Sequence, residues 1–221
     1  MFDSWQNQKH SAGWIALLLI PAGSLLTGSL AIEQINGTHY RDLTRDVAVI
    51  ARQPVYYGVY SQLGIKLWSA AAAIAFVFWR LLSRVSSSSA EPRFYLAASL
   101  FTCLLLIDDS FLLHDRLLPS RGIDESWCYG VYLLLVLLGG ITFRRVIRQR
   151  THWGLLTFAG LAFFTSIMID QVETQSDLIE TLGEDLAKFT GICAWLTYLA
   201  VSGLAATRRL RAEEQPEPIS S

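Results

Sequence analysis

Six long apolar segments dominate this chain and limit what it can fold into. They lie at about 14–32, 59–82, 94–113, 128–143, 153–169 and 186–206. Each comes close to the ~20 residues that an α-helix needs to cross a bilayer. Only 17% of the residues are charged, against about 25% in soluble domains. Apolar residues in long blocks predict an all-α fold, a bundle of six transmembrane helices in a single domain over residues 1–212.

The positive charges predict the orientation of this bundle. With Lys66 and Lys188 left out because they fall within segments, the side that holds the N-terminus carries eleven lysines and arginines, and the opposite side carries five. Because cytoplasmic loops hold the excess of positive charge, both termini are expected in the cytoplasm. The tail over 213–221 contains two prolines and three glutamates and is predicted to be disordered.

Acidic side chains lie at the ends of three apolar segments, all on the side opposite the termini. Asp108 and Asp109 fall near the end of the third segment, Asp170 follows the fifth, and Glu184 with Asp185 precedes the sixth. Ionised carboxylates near a bilayer core are costly and usually face a protein interior or a water-filled cavity. These positions predict one outward-facing acidic centre.

His114 is the one histidine close to these acids. A histidine beside carboxylates is a ligand set for zinc, iron or manganese, and a metal-bound water can attack a lipid ester. The residues expected to bind a divalent metal are Asp108, Asp109, His114, Asp170 and Glu184, with Asp109 and His114 as candidate catalytic groups. A membrane-embedded hydrolase is one hypothesis. Because histidine also passes protons, a proton or cation channel or transporter is another.

Lysines inside apolar segments need anionic partners. Lys188 lies four residues after Glu184 on the same helix face, which predicts an ion pair between them. Lys66 in the second segment is expected to pair with Asp108 or Asp109. The predicted structural set is Lys66, Asp115, Asp185 and Lys188. Such pairing can hold helices together without any chemistry, so a non-catalytic membrane partner or assembly factor is a third hypothesis.

Two short windows resemble an uncharacterised bacterial family of small multi-pass membrane proteins. Residues 108–115 read DD-x4-H-D, and residues 184–195 read ED-x2-K-x2-G-x3-W. The family shows DD-x4-H-D/E on one helix and E-D/E-x2-K-x2-G-x3-W on a later one. The resemblance implies that these residues belong together in a bacterial plasma membrane, and it implies no activity. The expected partners are the bilayer and a lipid or ion substrate. The sequence has no basic patch with interleaved aromatic residues, so it does not predict nucleic-acid binding.

Overall fold

The structure is a computed structural model that describes residues 19–21, 23–85, 89–171 and 182–214. Within these residues every regular element is a helix, and the predicted all-α class is confirmed. The chain divides into two compact units, Met1–Val59 and Tyr60–Ser221. The predicted single domain over 1–212 stays a prediction, and the predicted tail falls largely on residues outside the described part.

The first unit is described as three helices. Helix α1 is seen over 19–21 and 23–36, followed by α2 at Tyr40–Thr44 and α3 at Val47–Ile50. Asp46 caps α3, because its side chain accepts a hydrogen bond from the backbone N–H of Ala48 at 2.8 Å. The first predicted span, 14–32, includes residues that the structure does not describe, so that span stays a prediction.

The described part of the chain holds five helices long and apolar enough to cross a membrane. In chain order the remaining helices are α4 (Val59–Val85), α5 (Ala90–Phe111), α6 (Glu125–Thr142), α7 (Arg144–Arg150), α8 (Trp153–Gln171) and α9 (Glu184–Glu214). The short α7 is the one that is not a candidate span. A π-helical turn at Leu113–Leu117 and a 3₁₀ turn at Pro119–Arg121 connect α5 to α6. Five of the six predicted spans are thereby confirmed as helices of membrane-crossing length.

Small residues allow α4 and α9 to pack closely. Ala71 and Ala75 of α4 are fully buried, and the ring of Phe78 lies so near Gly203 of α9 that a Cβ there would overlap it. Because lipid is as apolar as a leucine side chain, helices in a membrane associate through such close contacts and through polar bonds. The same core includes Phe94 and Tyr95 of α5 and Tyr198 and Leu199 of α9.

Helix α6 is exposed around most of its circumference. All six residues over 133–138 are exposed leucines or valines. A helix that is apolar all round is stable inside a large core or a membrane and not in water. Because few residues of the described chain cover α6, its surface is suited to lipid.

Replacing Gly203 with alanine tests the packing of α4 on α9. We expect Gly203→Ala to lower the free energy of unfolding by about 1–3 kcal/mol, because the added methyl group must displace the buried Phe78 ring. Thermal unfolding in detergent measures the change. The control is Gly160→Ala in α8, where nothing lies within 4 Å of an added Cβ and the melting temperature should hold or rise slightly. Equal melting temperatures for Gly203→Ala and the wild type would contradict the close packing.

Candidate functional site

Helix α5 ends two residues before the predicted end of its span, and hydrogen bonds to Asp108 stabilise the backbone where the helix ends. The helix stops at Phe111, and Leu112 adopts a left-handed conformation with φ 50° and ψ 48°. That conformation costs a non-glycine residue roughly 1–2 kcal/mol. Asp108 offsets the cost, because its Oδ1 accepts a hydrogen bond from the His114 backbone N–H at 3.1 Å and its Oδ2 lies 2.6 Å from His114 Nδ1.

The imidazole of His114 lies between two carboxylates. Nδ1 faces Asp108, whose side chain is 4% exposed, and Nε2 lies 3.0 Å from Oδ1 of Asp115, whose side chain is 49% exposed. The hydrogen bond to Asp108, followed by that to Asp115, raises the pKa of His114 to about 10. In turn, His114 holds the pKa of Asp115 below its usual range. The three side chains form a hydrogen-bonded chain from the surface into the bundle.

Asp109 joins three helices. Its Oδ1 lies 2.8 Å from Nζ of Lys188 in α9, and its Oδ2 accepts a hydrogen bond from the indole N–H of Trp68 in α4 at 2.8 Å. The structure therefore pairs Lys188 with Asp109, where the sequence pattern predicted Glu184. The side chain of Asp109 is only 15% exposed and needs a counter-charge, whereas Glu184 lies in a first turn, where the helix dipole already stabilises an acid.

Lys66 does not take the predicted place in this network. Its side chain is exposed on α4, and no ion pair to it is found in the described chain. Asp108 and Asp109, its predicted partners, are occupied by His114 and Lys188. A long lysine side chain on an exposed face can extend its ammonium group towards the interface, which removes the need for a buried partner.

The spacing of Lys188, Gly191 and Trp195 places all three on one face of α9. At Gly191 an added Cβ would lie 2.8 Å from the ring of Phe163 in α8, and that ring stacks on Trp68 with centroids 5.6 Å apart. Trp195 donates its indole N–H to a threonine hydroxyl of α5 at 3.0 Å. The lysine and the tryptophan of this window thus contact α5, and the glycine lies against α8.

A second polar group surrounds Asp170 at the same end of the bundle. The Tyr129 hydroxyl of α6 donates a hydrogen bond to Asp170 at 3.2 Å, and the Tyr129 ring lies 5.6 Å from the His114 ring. Gln171 donates to Asp170 at 3.1 Å and to Glu125 at 3.2 Å. The C-terminal end of α8 is thereby placed beside the His114 carboxylates.

Glu184 connects the two groups electrostatically. Its charged neighbours are Asp170, Asp185, Lys188 and Asp115. Asp185 itself is exposed. The five predicted metal ligands therefore gather at one end of the bundle. However, no group of three or more His, Cys, Asp and Glu side chains among the described residues is arranged to hold a metal ion. The metal-binding set stays a prediction.

Sequence reasoning missed Trp68 and Tyr129. Both are aromatic residues within apolar segments, where packing is their usual role. Each carries a polar atom that needs a partner when buried. For Tyr129 a signal was available, because it begins the fourth apolar segment on the same side as the acids.

The five long apolar helices and the ion-paired polar end define a multi-pass α-helical membrane protein. The chain belongs to a family described as a domain of unknown function (DUF8692), whose profile matches residues 12–202. This match confirms the expectation of an uncharacterised family. No curated protein and no solved structure matches the chain. Function is therefore argued from the site alone.

The charge on His114 makes stability depend on pH. Its pKa is raised from the usual 6.5 to about 10 in the folded protein, so the stabilisation is fully present below 6.5 and is lost as the pH rises through 10. We expect the melting temperature of the wild type to exceed that of His114→Gln most at the lower end of this window. Thermal unfolding across the window measures the difference. His152→Gln, in an exposed loop position, is the control, and a pH-independent difference for His114→Gln would contradict a charged imidazole.

The ion pair at Asp109 is tested by a double-mutant cycle. Lys188→Met should lower the free energy of unfolding by about 1–3 kcal/mol, because it leaves a largely buried carboxylate without its cation. Adding Asp109→Asn should cost less than it does in the wild type, because the charge that lacks a partner is then gone. Thermal unfolding of the four proteins in detergent measures the coupling. The exposed Lys66→Met is the control, and additive effects at 109 and 188 would argue against the pair.

Proposed function

We propose that this protein moves protons across a membrane, as a channel or a transporter. The observation that carries the proposal is the position of the His114 imidazole, 3.0 Å from an exposed carboxylate and 2.6 Å from a buried one. Because its pKa is raised to about 10, His114 is protonated near neutral pH; it can release a proton from one nitrogen and then take one up at the other. Asp115, His114 and Asp108 therefore form a relay between the surface and the interior.

The two adjacent aspartates have different counter-charges. Asp109 faces Lys188, which remains charged across the physiological range. Asp108 has no lysine or arginine partner within 4 Å in the described chain, and its charge is balanced by His114. A proton released by His114 therefore changes the local charge, while the Asp109 pair keeps the helices in place. That arrangement favours proton transfer over a purely structural network.

We place the His114 centre on the outer face of a bacterial plasma membrane, with both termini in the cytoplasm. The support is the distribution of arginine. Arg144, Arg145, Arg148 and Arg150 follow the end of α6 that lies opposite Tyr129, and Arg208, Arg209 and Arg211 lie at the end of α9 opposite Lys188. Cytoplasmic ends of membrane helices carry such an excess.

A divalent-metal centre of a lipid hydrolase has weaker support. Zinc, iron or manganese would require free lone pairs on His114 and Asp109. Both ring nitrogens of His114 face carboxylates, and both carboxylate oxygens of Asp109 are bonded to Lys188 or Trp68. Metal binding at His114 would have to displace one of its two carboxylates, and at Asp109 the metal would have to share an oxygen with Lys188 or Trp68. A non-catalytic assembly factor would retain every ion pair and show no proton movement.

The test is proton flux into proteoliposomes that contain a pH-sensitive dye, driven by a potassium diffusion potential. We expect the wild type to acidify the lumen and His114→Gln and Asp108→Asn to fall to the rate of protein-free vesicles, because each removes one member of the relay. The control is His152→Gln, whose side chain is exposed in a loop. Thermal unfolding of each variant verifies that it is folded.

A wild-type protein without flux would overturn the proposal. Elemental analysis of the same preparations then tests the metal hypothesis. Stoichiometric zinc, iron or manganese that is lost in both His114→Ala and Asp109→Asn would favour a metal centre at this site.

A further inference from the structure

A second buried charged group lies at the opposite end of α5. Glu91 is 9% exposed; its Oε1 accepts a hydrogen bond from Arg209 Nη2 at 2.7 Å, and its Oε2 lies 3.5 Å from Arg150 Nη1. Eighteen residues separate Glu91 from Asp109, which is about 27 Å along a helix and close to the thickness of a bilayer core. Sequence reasoning missed Glu91, because it follows a run of serines typical of a linker.

Polar residues of α5 lie on one face between these two ends. Glu91 is followed at intervals of four, eleven and eighteen residues by Tyr95, Thr102 and Asp109. These intervals are near multiples of a 3.6-residue turn. Tyr95 and Thr102 are 0% exposed. Ionisable residues buried in a membrane helix are expensive and usually functional.

Helix α9 contributes polar groups to the same face. Lys188 pairs with Asp109 at one end, Trp195 bonds to Thr102 in the middle, and Arg209 pairs with Glu91 at the other end. We name this row the α5–α9 polar seam; it consists of Glu91, Tyr95, Thr102 and Asp109 of α5 and of Lys188, Trp195 and Arg209 of α9. The seam reaches both ends of the two helices.

Two buried atoms near Glu91 have no hydrogen-bond partner in the described chain. They are the Tyr95 hydroxyl oxygen and Arg209 Nε. Glu91 and Arg209 are both electrostatic neighbours of Tyr95. A buried polar group without a partner costs about 1–3 kcal/mol, and in a native protein it calls for an explanation. A hydroxyl without a fixed partner is available to carry a proton between transient water and a carboxylate.

The polar seam is not a continuous hydrogen-bonded chain. The Tyr95 hydroxyl has no partner among the described residues, and between Thr102 and Asp108 the residues are Cys103 and the apolar run Leu104, Leu105, Leu106 and Ile107. The six steps from 102 to 108 span about 9 Å. A proton would need transient water to cross these gaps, so a path along the seam would be slow.

We propose that Glu91 is a second proton-binding carboxylate, connected through the α5–α9 polar seam to the Asp108–His114–Asp115 relay. A protonated water in the seam gives its extra proton to the Tyr95 hydroxyl oxygen while that hydroxyl passes its own proton to a Glu91 oxygen. Glu91 then releases the proton to the medium at its own face, and Arg209 and Arg150 again balance its charge. Charged groups face Glu91 from two further helices, Arg209 of α9 and Arg150 of α7. This inference rests on the proposed proton-moving function and names the second end of its path.

The experiment is the proteoliposome flux assay on Glu91→Gln and Tyr95→Phe. We expect both variants to fall to the rate of protein-free vesicles. Tyr95→Phe should hold or raise the melting temperature, because the buried hydroxyl that it removes has no hydrogen-bond partner among the described residues. The matched controls are Glu33→Gln, with a side chain 35% exposed in α1, and Tyr60→Phe, 64% exposed, which should keep the flux.

The outcomes separate this inference from the proposed function. Wild-type flux that persists in both Glu91→Gln and Tyr95→Phe would overturn the seam and leave the His114 relay in place. A wild type without flux would overturn the proton-moving function and the seam with it. If Glu91→Gln does not fold, Tyr95→Phe decides, and its retained flux would count against the pathway. The pH dependence of melting should be unchanged in Tyr95→Phe, since the His114 centre is intact there.

Discussion

The carboxylate of Asp109 is the contact on which the polar end of the bundle depends. It binds Lys188 and Trp68 at once, so it ties α5 to α9 and α4, and the stacking of Trp68 on Phe163 extends the connection to α8. A carboxylate in a low-dielectric interior is tolerated only when it is paired and hydrogen-bonded. Once Asp109 is fixed, the preceding residue must lie about 100° around the helix, where Asp108 meets the chain that returns after Leu112. Asp109 is thus balanced by the fixed charge of Lys188, and Asp108 by the titratable charge of His114.

The backbone at this end is strained, and the Asp108–His114 contacts hold it in that conformation. Leu112 is left-handed, and a π-helical turn follows it. Strained residues persist where surrounding contacts hold them, and π-turns occur often at functional sites. Here Asp108 accepts from the His114 backbone and also contacts the His114 ring. Protonation of His114 and the conformation of the turn are therefore coupled, because the same carboxylate determines both.

The sequence predicted the helices well and the contacts between them poorly. The bilayer imposes a length on each span, so apolar blocks alone located five helices. The ends were less accurate where a cap decided them. Helix α6 begins at Glu125 and not at 128, because Asp124 accepts a hydrogen bond from the Ser126 N–H. The partner of Lys188 was not predictable from spacing, because spacing identifies only neighbours on the same helix. Lys188 pairs with Asp109 because that carboxylate is buried on α5 and needs a counter-charge. Glu91 was missed because it follows a run of serines typical of a linker and because its partner Arg209 lies 118 residues away.

A structural role does not account for every polar group in the α5–α9 polar seam. Ion pairs at the two ends can hold helices together, but apolar residues of similar volume are often equally stabilising in a protein interior. A phenylalanine at position 95 would preserve the aromatic contacts of Tyr95 with Phe78 and Phe94 and lose no hydrogen bond. The hydroxyl therefore adds a desolvation cost without adding a contact. The hydroxyl lies beside the buried Glu91, on the helix that also carries Asp108. A role in proton transfer accounts for its desolvation cost.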